Sequence, residues 1–226
     1  MTAPAKVVAL VADEAPARWL DASVHDALAE AGVVRLQVNV ADEAVAGVLR
    51  LQHLPVELTA VLSAWADPEA VPAVVGVLDT LGAPWTYLVD ERRPLDPPES
   101  WDGSRAAALA NVAVLRRPDS LDRDEWLRRW LGPHTQVAID TQATFGYLQN
   151  VVLRPLSATA PVVDAVVEEL FPVEAVTDTH AFYGSGGDDA ELTRRMARLM
   201  ESVATIGADR DLDLVPTSRY LFDLSR

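Results

Sequence analysis

The sequence has no cysteine, a single lysine at position 6 and four histidines among 226 residues. Without thiols, disulfide bonds, cysteine nucleophiles, iron–sulfur clusters and thiolate zinc sites are all excluded. Four imidazoles also leave few ligands for a metal centre. We therefore expect an activity that needs no metal centre.

Basic residues and long apolar runs are scarce as well. The 34 acidic residues outnumber the 19 basic residues, so the net charge is −15. A chain of this charge repels nucleic-acid phosphates and anionic membrane surfaces at long range. No uncharged run approaches the ~18 apolar residues that a transmembrane helix needs. The composition therefore predicts a soluble, cytoplasmic protein that binds neither nucleic acid nor membrane.

A segment rich in proline and acids divides the chain at residues 94–104. Its prolines, glycine and acids cannot continue a helix or a central strand. Because half of all residues are apolar, the flanking segments have enough material to form a core. We predict a first unit over 1–94, a linker over 95–110 and a second unit over 111–226.

Apolar periodicity in the first unit predicts the element order β-α-β-β-α-β. The predicted strands cover 6–12, 34–40, 55–66 and 85–89, and the predicted helices cover 16–32 and 68–81. Asp67 is placed to cap the second helix and Gly82 to end it.

The same order recurs in the second unit. The predicted strands cover 111–117, 145–153, 164–170 and 212–222, and the predicted helices cover 120–131, 172–179 and 189–206. This is the ferredoxin-like pattern, an antiparallel four-stranded sheet with helices on one face. Two such units can cover each other's bare faces. We predict an α+β fold of two tandem ferredoxin-like units packed sheet to sheet as an intrachain dimeric α/β-barrel. Two independent domains on a flexible linker are the alternative.

Residues 115–134 carry a resemblance to a known family. A short turn leads from a strand into a helix that bears Trp126, Trp130 and His134. This stretch resembles the EthD-like family of dimeric α/β-barrel proteins, in which a tryptophan precedes a histidine by four residues. The resemblance covers about 110–223 and implies that the first unit is a degenerate copy.

The resemblance implies a fold and a range of activities. The wider superfamily includes polyketide cyclases, cofactor-free monooxygenases, decarboxylases and haem enzymes. We accordingly expect a cofactor-free cyclase, decarboxylase or monooxygenase-like enzyme, monomeric or homodimeric, acting on a small hydrophobic phenolic or polyketide-like compound. A non-catalytic ligand-binding or assembly protein is the alternative, and haem ligation by His134 or His180 is a third hypothesis.

His134 is the candidate general acid or base, because an imidazole exchanges protons near neutral pH. Pro133 is predicted to kink or end the helix at Arg129. The resemblance to the family implies that the imidazole then turns toward the open face of the sheet. His25 or His180 could approach it there. The alternative is a histidine that packs against or caps the helix end.

Trp130, Tyr147 and Asn150 are the candidate substrate-binding residues. Strand alternation sends Tyr147 and Gln149 to one face and Asn150 to the other. We expect the Tyr147 face to line the barrel interior and Asn150 to lie among apolar residues under the helices. Trp130 follows Trp126 by one turn, so packing in the core is its alternative role.

Three further charged residues are expected to have structural roles. Glu168 and Glu169 are adjacent, so on a strand they point to opposite faces and form a poor catalytic pair. Arg219 could receive a substrate carboxylate. In so acidic a chain, however, pairing with acidic side chains at the surface is its expected role.

Overall fold

The computed structural model describes residues 3–83 and 85–225. Within them, nine strands form one antiparallel sheet. The strands are β1 (Ala5–Val11), β2 (Val33–Val40), β3 (Ala60–Ala66), β4 (Trp85–Leu95), β5 (Asp102–Arg105), β6 (Leu109–Leu115), β7 (Gly146–Pro155), β8 (Ala165–Phe171) and β9 (Leu212–Asp223). The α-helices are α1 (Ala22–Glu30), α2 (Val71–Thr80), α3 (Arg123–Arg129), α4 (Thr135–Thr141), α5 (Thr179–Tyr183) and α6 (Asp189–Thr205).

Eight of these strands close into a barrel in the order β2-β3-β1-β4-β7-β8-β6-β9, and β9 pairs back to β2. The first half, β1 to β4, and the second half, β6 to β9, join through the β4–β7 and β2–β9 pairings. Closure removes the free sheet edges that each half alone would expose. The predicted α+β class and the barrel are confirmed. The halves are joined by hydrogen-bonded strand edges, whereas we had expected them to stack sheet on sheet.

The two longest strands hold the barrel together. β4 has 11 residues and β9 has 12, because each pairs with strands of both halves. The predicted strand 85–89 therefore ended too early, since β4 continues to Leu95 along β7. The predicted linker 95–110 is partly a strand, because β5 pairs with the far end of β9.

Most helices lie near their predicted positions. The Asp67 side chain accepts a hydrogen bond from the Glu69 backbone nitrogen at 3.4 Å, so it caps as predicted. Gly82, at φ +84°, follows the end of α2. The predicted helix 16–32 is split, because a 3₁₀ turn over Pro16–Leu20 precedes α1. No helix of the described residues combines the length and apolar character needed to span a membrane.

The helix that carries the family-like motif does not end before Pro133. A π-helical turn over Trp130–His134 contains this proline and connects α3 to α4. The wider turn shifts the backbone hydrogen bonds, so the missing proline N–H does not break the helix. The Thr135 hydroxyl donates to the Trp130 carbonyl at 2.7 Å, which satisfies one of the displaced acceptors. The α-helical geometry ends at Arg129, as predicted, but the helical path continues through Pro133.

The core has helix-facing parts and a barrel-interior part. In the first half, the helices cover an apolar face that includes Val7 and Leu36. In the second half, Trp126 and Trp130 pack on the helix-facing side of the sheet. Valines such as Val152 fill one end of the barrel interior. Both faces of the sheet are therefore buried over much of its area.

The two faces of β7 are the reverse of those expected. Tyr147 and Val151 pack with the helix tryptophans, whereas Val152 belongs to the cluster inside the barrel. The Gln149 amide donates to the Thr135 hydroxyl of α4 at 2.8 Å, which confirms the helix-facing side. The expectation that Tyr147 lines the barrel interior, with Asn150 under the helices, is wrong. Each face of β7 carries both apolar and polar side chains. The alternation therefore showed which residues share a face, but not which face meets the helices.

Candidate functional site

Three polar side chains form a row across the helix-facing side of the second half. Glu169 on β8 lies directly opposite Tyr147 on β7 and directly opposite Asn111 on β6. Side chains of directly opposed residues share one face and have Cβ atoms ~5 Å apart. Tyr147, Glu169 and Asn111 are called the polar row below.

Apolar side chains enclose the polar row. Along β8, Glu169 lies between Val167, which packs with the helix tryptophans, and Phe171, which belongs to a separate cluster. Phe182 of α5 stacks on Phe171 with ring centroids 4.1 Å apart. The Gln142 amide, oriented to satisfy both of its polar atoms, donates to Glu169 Oε1 at 3.1 Å. The row is therefore a small polar layer within an apolar surrounding.

The electrostatics of the row centre on Glu169. Burial raises the pKa of this carboxyl to about 8. Burial, followed by the nearby Glu169 charge, also raises the pKa of Tyr147 and that of Tyr183. Glu169 itself is only partly covered, so it can exchange protons with its surroundings. At neutral pH the site holds a carboxyl group that can gain or lose a proton.

Asn111 contributes an unsatisfied acceptor to the row. This residue is 3% exposed, and its Oδ1 atom has no hydrogen-bond partner in the part of the chain that the structure describes. Buried side-chain oxygens are usually paired, so an unpaired one requires an explanation. A hydroxyl or amide donor on a bound ligand would satisfy it.

The predicted site residues lie in different surroundings. Tyr147 belongs to the polar row. Trp130 is fully buried against Trp126, with ring centroids 5.1 Å apart. Asn150 faces the barrel, and its Nδ2 donates to the Val166 carbonyl at 3.0 Å. The proposed roles of these residues in substrate binding stay predictions.

His134 is enclosed in the π-helical turn. Its Nδ1 lies 3.0 Å from the Ser202 hydroxyl of α6, and 7% of the residue is exposed. Burial lowers its pKa to about 4, so the imidazole is neutral at neutral pH. A neutral imidazole can accept a proton but has no extra proton to give. Its role as general acid or base stays a prediction.

The other two candidate histidines have local partners. His25 Nε2 lies 3.0 Å from the Trp19 carbonyl in the first half. His180 Nδ1 lies 2.7 Å from the Ser185 hydroxyl, beyond the end of α5. Among residues 3–83 and 85–225, no three histidine, aspartate or glutamate side chains are grouped to hold a metal ion.

Glu168 and Glu169 face opposite sides of the sheet, as predicted. Glu168 points into the barrel and accepts hydrogen bonds from Gln37 at 2.9 Å and Asn39 at 2.7 Å. Arg219 Nε lies 3.3 Å from Glu168, so this arginine does pair with an acid, but the partner is buried inside the barrel and not at the surface as expected. What sequence reasoning missed is that Glu169 is a candidate by itself. The signal that could have revealed it is that Glu169 shares one face of its strand with the apolar residues Ala165, Val167 and Phe171.

Comparisons with known proteins bear on the fold. No family model matches the sequence, and no curated protein matches it either. The structure is similar to that of an anthrone oxidase-like protein, with a TM-score of 0.58 and 9% identity over 100% of this chain and 95% of the other. It is also similar to a candidate monooxygenase from Fusobacterium nucleatum, with a TM-score of 0.49 and 10% identity over 98% and 95% of the two chains. The first likeness, together with the closed barrel, shows the dimeric α/β-barrel fold.

Proposed function

We propose that the chain is a cofactor-free, monooxygenase-like enzyme acting on a small phenolic or polyketide-like compound, with Glu169 as general base. The observation that carries this proposal is the half-buried Glu169 carboxyl between Tyr147 and Asn111. The anthrone oxidase-like neighbour has a name that fits this class of activity, although its likeness extends only to the fold.

The geometry suits the removal of a proton from an activated carbon acid. A general base works best when its pKa lies near the working pH, and burial raises the pKa of Glu169 to about 8. Proton abstraction from a methylene beside an aromatic ketone leaves an enolate oxygen. The Tyr147 hydroxyl, whose raised pKa keeps it protonated, would donate to that oxygen. Asn111 would accept from a hydroxyl elsewhere on the ligand.

The overall reaction balances with dioxygen as the oxidant. A methylene group and one dioxygen give a carbonyl and one water, so one oxygen atom enters the substrate and the other leaves with both hydrogens. Glu169 takes the first proton and returns it to the departing water. The apolar side chains around the polar row suit an aromatic substrate. Helix α5, which places Phe182 on Phe171, would cover the bound ligand.

The same proposal extends to the architecture of the chain. The first half has the strand order β2-β3-β1-β4, and the second half repeats it as β7-β8-β6-β9. This repetition supports two tandem ferredoxin-like units, with 1–94 as the degenerate copy and 111–226 as the EthD-like one. In this arrangement, the first half closes the barrel and the second half carries the chemistry.

Oxygen consumption with anthrone as the probe tests the function. We expect turnover above the uncatalysed background, rising with pH as Glu169 ionises and levelling above about pH 8. Glu169→Gln should lower kcat by about 100-fold or more, the usual range for a general base. The exposed Glu174→Gln is the matched control and should leave kcat unchanged. Full activity in Glu169→Gln would reject this residue as the base.

A parallel variant tests the histidine hypothesis. If His134 is the general acid or base, His134→Gln should lower kcat as strongly as Glu169→Gln. Full turnover in His134→Gln would reject that role and leave the imidazole with a packing function. Binding of anthrone without turnover in the wild-type protein would favour the ligand-binding alternative.

A further inference from the structure

The segment that joins the two halves forms the wall of a cavity next to Arg219 of β9. This cavity has a volume of about 300 Å³ and is lined by Glu99, Arg105, Arg219 and several small or apolar side chains. Arg219 and Leu221 lie on alternate positions of β9, and Arg105 lies at the end of β5. Nothing in the proposed reaction uses this region, because Glu169 lies on the opposite face of the sheet.

Arg219 is a buried cation with unused donors. It is 1% exposed, and its Nη2 donates to Glu99 Oε1 at 2.8 Å and to Gln37 Oε1 at 3.1 Å. Its Nε lies 3.3 Å from Glu168 Oε1 but forms no hydrogen bond. A guanidinium can donate five hydrogen bonds, so this one has capacity left for a ligand.

Arg105 adds a second guanidinium with free ends. Its Nε donates to the Ser218 hydroxyl at 2.8 Å, which fixes the plane of the group. Its two terminal nitrogens have no acceptor within residues 3–83 and 85–225. The Ala106 backbone nitrogen donates to the Arg219 carbonyl at 2.8 Å, so the two arginines are carried by adjoining backbone segments.

The charge of the lining selects the ligand. Of the two guanidinium groups that line the cavity, Arg219 is already balanced by Glu99 and Glu168, whereas the terminal nitrogens of Arg105 have no acceptor among the described residues. Although burial raises the pKa of Glu99, hydrogen bonds from Arg93 and Arg219 hold it below its usual value, so Glu99 stays ionised. A single negative charge on a ligand would balance Arg105, whereas a dianion would also be repelled by Glu99. The Ser100 and Ser104 hydroxyls already donate to the exposed Asp102, so the guanidinium groups are the donors left for a ligand.

We propose that this cavity binds a small monocarboxylate, with its carboxylate on Arg105 and Arg219 and its hydrocarbon part against Ala106, Ala107 and Leu221. A planar guanidinium matches a carboxylate through two parallel hydrogen bonds. The volume of about 300 Å³ lies at the lower end of the range for small-molecule sites.

Calorimetric titration with benzoate tests this site on the full chain. Benzoate should bind with one-to-one stoichiometry, whereas benzamide and inorganic phosphate should bind at least ten times more weakly. Arg105→Gln should weaken benzoate binding by at least tenfold. The exposed Arg128→Gln on α3, which also removes one arginine, should change it less than twofold. Equal binding to Arg105→Gln and wild type, or equal binding of benzamide, would overturn the proposal.

Two further variants keep the test independent of folding and of the proposed reaction. Ala107→Phe fills the cavity from an exposed position and should abolish benzoate binding while leaving the circular dichroism spectrum unchanged. Benzoate binding to Ala107→Phe at wild-type strength would place the ligand elsewhere and reject the site. Glu169→Gln should bind benzoate like the wild type, since the two sites lie on opposite faces. Loss of binding in that variant would show that the titration reports the Glu169 site instead.

Discussion

The two halves of the barrel carry different side chains at equivalent positions of their sheets. In the second half, Glu169 lies opposite Tyr147 and Asn111 on the helix-facing side. At the same register in the first half, Ala64 lies opposite Leu36 and Val7. One row is polar and the other is wholly apolar, although both are covered by helices.

This difference teaches that the fold does not require the polar row. Ala64, Leu36 and Val7 pack against α1 and α2 with no polar atom to satisfy. A buried carboxyl costs free energy that an alanine does not, because the charged form loses its hydration. The second half therefore carries a feature that stability alone would remove. Such features concentrate at functional sites.

The largest expected effect comes from placing a carboxyl in the apolar row. Ala64 is 1% exposed, so Ala64→Glu buries an acid with no prepared partner. We expect a loss of about 3–5 kcal/mol in the free energy of unfolding at pH 8. Ala64→Gln is the matched control and isolates the charge from the added volume. Equal stability of the two variants in urea denaturation at pH 8 would show that the first half also tolerates a buried charge.

A second prediction removes the charge from the polar row. The pKa of Glu169 rises from 4.5 to about 8 on folding, so the folded state holds its proton more tightly than the unfolded chain. The wild type should therefore lose stability relative to Glu169→Gln as pH rises from about 4.5 to about 8, by ~1.4 kcal/mol per pH unit. Urea denaturation of both proteins at several pH values measures this slope. Parallel stability curves would contradict the burial of this carboxyl.

The third prediction concerns His134 and has the opposite sign. The pKa of His134 falls from 6.5 to about 4 on folding, because burial penalises the imidazolium. The wild type should lose stability relative to His134→Gln as pH falls from about 6.5 to about 4, by up to ~1.4 kcal/mol per pH unit. Thermal unfolding between pH 4 and 7 measures this difference. A pH-independent difference would mean that the imidazole can be hydrated in the folded state.

The smallest effect is expected at a glycine of the first half. Gly76 is exposed in the middle of α2, and a Cβ added there would meet no atom within 4 Å. Gly76→Ala should raise the free energy of unfolding by about 0.5–1 kcal/mol, because alanine loses less backbone entropy in a helix. Denaturation midpoints measure the gain, and anthrone turnover should stay unchanged. A loss of turnover would show that the first half contributes to the site.

Much of the element order could be predicted from the sequence. Alternating and helical apolar patterns located the strands and helices of both halves, and Asp67 caps where its position indicated. The strand ends were less predictable. The charged side chains that follow Val89 did not look like a continuation of the strand. In the structure β4 continues through them, and one of them, Glu91, pairs with Lys6 of β1 at an Nζ–Oε1 distance of 2.7 Å. That pairing depends on residues 85 positions apart.

The candidate site was only half predictable. Tyr147 was selected from its strand, but for the wrong face, because both faces of β7 are buried and neither is plainly polar. Glu169 was set aside with Glu168 as a poor catalytic pair. The sequence did not show that Tyr147 and Asn111 would flank it. β7 directly precedes β8, but the pairing register that sets Tyr147 opposite Glu169 could not be derived, and β6, which carries Asn111, is not consecutive with β8.

The sequence by itself determined the α+β class, the repeated element order, the absence of thiol chemistry and the separation of Glu168 from Glu169. These features depend on composition and on local periodicity, which each segment carries alone. Only the tertiary structure decided which face of each strand meets the helices, how the π-helical turn accommodates Pro133, and which side chains gather around Glu169. Barrel closure pairs distant strands and buries both sheet faces, so the pKa of Glu169 and the cavity at Arg219 arise from contacts that no single segment encodes.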